Sequence, residues 1–137
     1  MNETAIKALL EQAALTLLEN QPNLFELTSK TSQTEWNITG RYAAEVHKLF
    51  PDYEYDVDLK KPGVQNKRPD IVLHRRGTHD SNFLVIEVKR KQTDVPREIQ
   101  KIKDSWFPPP LSYKYGSIAV VDGVGSFSVV VLKSETR

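Results

Sequence analysis

Two charged residues, Glu87 and Lys89, lie within the most strongly apolar stretch of the sequence, residues 83–89. Residues two apart on a β-strand point to the same face of a sheet, so these two side chains share a face with Val85. The opposite face of that strand is aliphatic: Leu84, Ile86 and Val88. Apolar residues on both faces are typical of a buried strand, where a charged pair is costly unless it is paired or binds something. We therefore interpret the pair as functional; the alternative is an exposed ion pair on an edge strand.

A third charged residue, Asp70, is expected to face Glu87 across a hairpin. Residues 77–80 separate two apolar runs, and Asp70 and Glu87 are equally distant from the midpoint of a turn placed there. Directly opposed residues of an antiparallel pair have Cβ atoms about 5 Å apart. Two carboxylates at that distance repel each other, whereas Mg²⁺ favours such a pair. The spacing thus predicts a divalent cation site; taken alone, Asp70 after Pro69 would be interpreted as a turn or cap residue, and a bulge would shift the register.

Three helices are predicted from apolar residues at helical spacing. The first covers residues 3–19 and ends before Pro22; the second covers about 33–50, with a stripe of Ile38, Tyr42 and Val46, and ends at Pro51. The third begins near Asp94, a plausible N-cap, and ends at the prolines 108–110. Trp36 and Trp106 lie near these stripes, which favours core packing over stacking on bases.

Five strands are predicted around these helices, at residues 53–59, from 71, at 83–89, 116–121 and 127–132. The order of elements indicates an α/β fold with a central mixed β-sheet flanked by helices. The length suits one domain over residues 1–137, with an N-terminal helical extension at 1–30 and a core at 33–133.

The motif Pro69-Asp70 followed by Glu87-Val88-Lys89 resembles the signature of the PD-(D/E)XK nuclease superfamily, whose fold is restriction-endonuclease-like. The resemblance covers roughly residues 33–121. The wider strings at 67–72 and 84–89 are similar to small uncharacterised bacterial members of that superfamily.

The resemblance implies hydrolysis of phosphodiester bonds with Mg²⁺, for which Mn²⁺ is an expected substitute. Asp70, Glu87 and the main-chain carbonyl of Val88 would hold the metal, and Lys89 would orient the attacking water and neutralise charge on the phosphate. An upstream helix often supplies one more acidic residue, and Glu35 matches it best. Glu35 has an equal alternative, since it completes a capping box with Ser32.

The charge distribution favours a nucleic-acid partner more than the net charge of +1 does. Residues 60–114 contain 13 Lys and Arg against 6 Asp and Glu, a net charge of +7. A basic segment around the predicted site suits a phosphate backbone, DNA before RNA. We expect phosphate contacts from five residues, each of which has a plain solvated charge as its alternative: Arg68, Arg90, Lys91, Arg97 and Lys101.

Other features limit the remaining function classes. The chain lacks cysteine, which excludes disulfides and zinc–thiolate sites, and no apolar run reaches the roughly 20 residues of a membrane span. Without a secretory signal pattern, a cytoplasmic protein with no membrane partner is predicted. His74 is expected at the surface, and Asp56 on a solvated face of its strand.

The predicted function is a metal-dependent nuclease, and the alternative is a catalytically silent nuclease-like fold that binds nucleic acid or a protein partner. Cutting both strands of a duplex with one site per chain favours a homodimer. The first helix would supply that contact or pack on the domain.

Overall fold

The structure is a computed structural model that describes residues 1–24, 34–57, 68–78, 80–121 and 126–135, with the backbone alone for residues 34–36. Several predicted features lie outside these residues: the capping box with the side chain of Glu35, the loop after the first strand, and the turn near Asp122.

Five strands form one mixed sheet in the order β1-β2-β3-β4-β5. The strands are β1 (Glu54–Val57), β2 (Ile71–His74), β3 (Leu84–Lys89), β4 (Tyr115–Val121) and β5 (Phe127–Lys133). All neighbouring pairs are antiparallel except β3 and β4, which are parallel. A parallel pair needs a crossover connection, and residues 90–114 provide it.

Helices α1 (Glu3–Asn20) and α2 (Thr34–Leu49) pack on one face of the sheet. The side chain of Asn2 caps α1 by accepting a hydrogen bond from the Ala5 backbone N–H at 2.9 Å. The Tyr42 hydroxyl of α2 donates to the Leu10 carbonyl of α1 at 3.1 Å. The buried residues of this layer include the predicted stripe of α2 and one face of α1: Ile38, Tyr42 and Val46, and Ile6, Leu10, Ala13 and Leu17. The first helix therefore packs on its own sheet.

The crossover covers the other face of the sheet with a short helix, α3 (Val95–Lys101), which continues as a π-helical turn (Ile102–Trp106). A 3₁₀ turn at 92–94 precedes α3, and the side chain of Asp94 makes no capping hydrogen bond. Ile102, Trp106 and Phe107 pack against Val72, Val85 and Ile118 of the sheet. Trp106 is fully buried, as predicted.

Gly116 of β4 allows the π turn to approach the sheet closely. A Cβ atom at Gly116 would lie 2.6 Å from the Cγ2 atom of Ile102 and 3.4 Å from the Phe107 ring. Real Cβ atoms do not come that close to carbon. The missing side chain thus sets the distance between the crossover and the sheet.

The observed architecture confirms the predicted α/β class and the mixed sheet flanked by helices. The predicted strands agree with the observed ones to within one or two residues wherever the structure describes them. The prediction of one continuous third helix was wrong in one respect, because its second half is a π turn.

Candidate functional site

The register of β2 and β3 brings Asp70 and Glu87 together. Ile71 pairs with Ile86 and Val72 with Val85. This is the register predicted from the turn at 77–80, and one step further along it Asp70 faces Glu87. Asp70 comes just before β2, and its Oδ2 atom accepts a hydrogen bond from the Val88 backbone N–H at 2.7 Å. That bond holds the Asp70 carboxyl beside β3.

Glu87 is buried beneath the crossover, with 1% of its surface exposed. Its Oε2 atom accepts a hydrogen bond from the indole Nε1 of Trp106 at 3.1 Å. The ammonium Nζ of Lys101 lies 3.1 Å from the same oxygen. Because a buried carboxylate without partners is very costly, these two donors allow Glu87 to stay under the helix.

The surroundings of Asp70 and Glu87 make ionisation of both carboxyl groups less favourable. Burial, followed by the negative charge of Asp70, raises the pKa of Glu87 to about 7. Burial also raises the pKa of Asp70, although the hydrogen bond from Val88 and the charge of Lys89 oppose that effect. The site therefore attracts positive charge at neutral pH.

Glu98 of α3 is a site residue that the sequence analysis missed. It is 3% exposed, and its Oε2 atom lies 3.7 Å from the Nζ atom of Lys89. Its other oxygen, Oε1, lies 3.4 Å from the Nζ atom of Lys101. A signal was present in the sequence: Glu98 falls in line with Val95 and Ile102 on the apolar stripe of the helix. A charged residue on such a stripe is expected to face inward.

The five predicted phosphate-contact residues differ in their surroundings. Lys101 belongs to the buried site itself, since it pairs with both Glu87 and Glu98. Arg90 is half-buried, and its Nε donates to the Val121 carbonyl at 3.0 Å. The remaining three are exposed: Arg68, Lys91 and Arg97, of which Arg97 pairs with Asp94 at 3.1 Å.

Two further predicted site residues are Glu35 and Val88. Glu35 lies in the first turn of α2, and its side chain is outside the described residues. The Val88 side chain is buried in the core beneath α1 and α2, and its backbone N–H is the donor to Asp70.

A second polar cluster lies on the same face of the sheet, at β1 and β2. The His74 Nε2 atom is 2.7 Å from Asp56 Oδ2, and the Arg76 guanidinium donates to both Asp56 oxygens at 2.9 and 3.1 Å. These hydrogen bonds lower the pKa of Asp56, although burial opposes them. The expectation of a surface His74 was wrong, because the register of β1 and β2 buries it beside Asp56, which is itself partly exposed.

Two carboxyl groups of the site are suitable ligands for a divalent cation such as Mg²⁺. Asp70 and Glu87 supply two adjacent carboxyl groups whose mutual repulsion a cation would relieve. No group of three or more His, Cys, Asp or Glu side chains is arranged to hold a metal among the described residues. The remaining ligands would have to be water and main-chain oxygen, as Mg²⁺ commonly accepts.

No protein-family model matches the chain. Within the part of the chain that the structure describes, the helices are too short or too polar to cross a membrane.

Proposed function

We propose that this protein is a Mg²⁺-dependent nuclease of the PD-(D/E)XK kind that hydrolyses phosphodiester bonds in DNA. The observation that carries the proposal is the pairing of Asp70 with Glu87, with Lys89 on the same face of β3 and the helix α3 above them. The order of elements is consistent with a restriction-endonuclease-like core: α2, three antiparallel strands, a helical crossover and a parallel strand.

Asp70, Glu87 and the carbonyl of Val88 would hold the metal. A Mg²⁺ ion held there would supply Lewis-acid chemistry, which activates water and polarises the phosphate. Both carboxyl groups must be ionised to hold the metal, and Lys101 beside Glu87 favours the ionised form while no cation is bound.

Lys89 would contribute a positively charged side chain to the reaction. Its Nζ atom would donate hydrogen bonds to the attacking water and to a non-bridging phosphate oxygen. The attacking water would bond to phosphorus and release a proton to solvent, while the bond to the leaving sugar oxygen breaks and that oxygen takes up a proton from solvent. The Lys89 ammonium group would stabilise the negative charge that grows on the phosphate. Glu98, 3.7 Å from Nζ, would hold the lysine in place before the substrate arrives.

The test is cleavage of labelled duplex, single-stranded, branched and flapped DNA and of RNA, with Mg²⁺, with Mn²⁺ and with a chelator. Wild type is compared with Lys89→Ala and Asp70→Asn, and with Lys48→Ala as the matched control at an exposed lysine of α2. We expect metal-dependent cleavage that the first two substitutions reduce at least about a hundredfold. Equal cleavage by wild type and Lys89→Ala would contradict the proposal.

A second candidate is a catalytically silent fold that binds nucleic acid or a protein partner. The observation that favours it is the engagement of Glu87 Oε2 by Trp106 and Lys101, which leaves a cation only part of that carboxyl group. This candidate predicts DNA binding by folded wild-type protein without turnover in Mg²⁺ or Mn²⁺.

A further inference from the structure

Lys101 places a positive charge directly beside the Glu87 carboxyl group. Its Nζ atom is 3.1 Å from Glu87 Oε2, on the inner side of α3, and about a quarter of its side chain is exposed. Arginine and lysine side chains on helices more often extend into water. Here the lysine points inward because the carboxylate below it is buried and needs a counter-charge.

Glu98 offers the same ammonium group a second partner. Its Oε1 atom is buried, lies 3.4 Å from Lys101 Nζ, and accepts no hydrogen bond from the described residues. Lys101 thus lies between two carboxylate oxygens. Glu87 Oε2 already accepts a hydrogen bond from Trp106, whereas Glu98 Oε1 can accept a further one. A small movement of the ammonium group transfers its hydrogen bond from Glu87 to Glu98.

The two positions have opposite effects on the charge at Glu87. With Lys101 on Glu87, the carboxylate is neutralised and a second cation is repelled, since like charges about 4 Å apart interact strongly at a partly buried site. With Lys101 on Glu98, the Glu87 carboxylate is available. The position of one lysine therefore governs how much negative charge the site presents.

We propose that Lys101 is a tethered counter-ion that competes with divalent cations for Glu87, and that Glu98 accepts it when a cation binds. The inference rests on the proposed function, because it assumes that Asp70 and Glu87 bind a cation. It makes Lys101 a positioning residue that sets metal affinity, in place of the phosphate contact expected from the sequence.

The experiment is calorimetric titration of Ca²⁺ and Mn²⁺ alone into wild type, Lys101→Met and Glu98→Gln. All proteins are titrated at the same pH, which lies well above the pKa of about 7 that Glu87 has in wild type. Methionine keeps most of the apolar length of the side chain and removes the charge. The matched control is Lys103→Met, which removes an exposed charge two residues along. Lys101→Arg, which keeps the charge, should bind metal as wild type does.

We expect Lys101→Met to bind metal at least about tenfold more tightly than wild type, because it removes the competitor. Glu98→Gln should bind metal several-fold more weakly, because the lysine loses its alternative partner. In chelator, Lys101→Met should also unfold at a lower temperature than wild type, and added Mn²⁺ should reverse that loss. Binding by Lys101→Met alone would support the inference as well.

The outcomes separate this inference from the proposed function. Metal affinity of Lys101→Met equal to or weaker than that of wild type would overturn the inference and leave the metal site intact. No metal binding by any folded variant, as checked by circular dichroism, would overturn both. If Lys101→Met does not fold, Lys101→Gln and Glu98→Gln carry the same test, since the inference requires their affinities to move in opposite directions.

Discussion

At the scale of single residues, the protonation state of Glu87 determines the charge of the site. Glu87 has a pKa of about 7 in the folded protein against an ordinary value of 4.5. Between these values the folded state binds more protons than the unfolded state, so the free energy of unfolding falls as the pH rises through this window. Above it, Glu87 destabilises the fold by a constant amount, and a bound cation would offset that cost.

We predict that Glu87→Gln removes this part of the pH dependence. Wild type should lose on the order of a few kcal/mol of stability between about pH 4.5 and pH 7, and the variant should lose distinctly less. Urea unfolding at several pH values measures this, with the exposed Glu19→Gln as control. Parallel pH profiles for wild type and Glu87→Gln would show that burial of Glu87 does not perturb its ionisation.

The pairing of side chains across β2 and β3 could be predicted, because strand periodicity and the position of the turn together determine which residues lie opposite each other. Asp70 beside Glu87 follows from two strands and one turn. Glu98 and the role of Lys101 could not be predicted in the same way. Their partners depend on the rotation and height of α3 above the sheet, which are set by packing between elements distant in sequence.

At the scale of elements, the crossover and the sheet fit together through one missing side chain. The π turn carries Ile102 and Trp106 down onto β4, and π turns occur frequently at functional sites because they redirect side chains. Helical spacing in the sequence predicted that Trp106 would face inward, but Glu98 was missed. The spacing did not predict the wider turn, since the local propensities of this segment resemble those of an ordinary helix.

We predict that Gly116→Ala destabilises the protein by roughly 1–3 kcal/mol and displaces the crossover, because the new methyl group meets Ile102. Gly40→Ala is the matched control, since a Cβ there meets nothing within 4 Å on an exposed helical position. That control should gain about 0.5–1 kcal/mol. Thermal unfolding compares the two, and two stabilised variants would mean that the π turn lies farther from β4 than described.

At the scale of the whole molecule, one face of the sheet is packed against an apolar layer and the other carries the charged site. One face packs against α1 and α2 in an almost wholly apolar layer. The other face combines the smaller apolar cluster around Trp106 with the charged groups of the site. This division could be predicted only in part, because strand alternation identifies two buried faces but not the helices that cover each one.

The basic segment at residues 60–114 leads to a prediction about DNA binding. Affinity should fall steeply with salt, by a slope of about 0.9 in the double-logarithmic plot for each phosphate contacted. Lys91→Gln should lower that slope by about one, because it removes one expected phosphate contact. Lys48→Gln, an exposed lysine on the opposite side of the sheet that pairs with Glu45, should leave it unchanged. Fluorescence anisotropy of labelled duplex in chelator gives both slopes, and identical losses in the two variants would rule out a localised DNA-binding surface.

The hydrogen bond from Trp106 to Glu87 has an optical consequence. The chain has two tryptophans, and Trp36→Phe leaves Trp106 as the sole indole fluorophore, buried and bonded through Nε1 to the carboxyl at the centre of the site. An indole excited state responds to the charge of a carboxyl group held against its ring nitrogen. Emission from this variant should therefore titrate with a midpoint near 7 and respond to added Mn²⁺ or Ca²⁺. The protein thus carries its own spectroscopic reporter, which reads the ionisation of Glu87 without nucleic acid and without turnover.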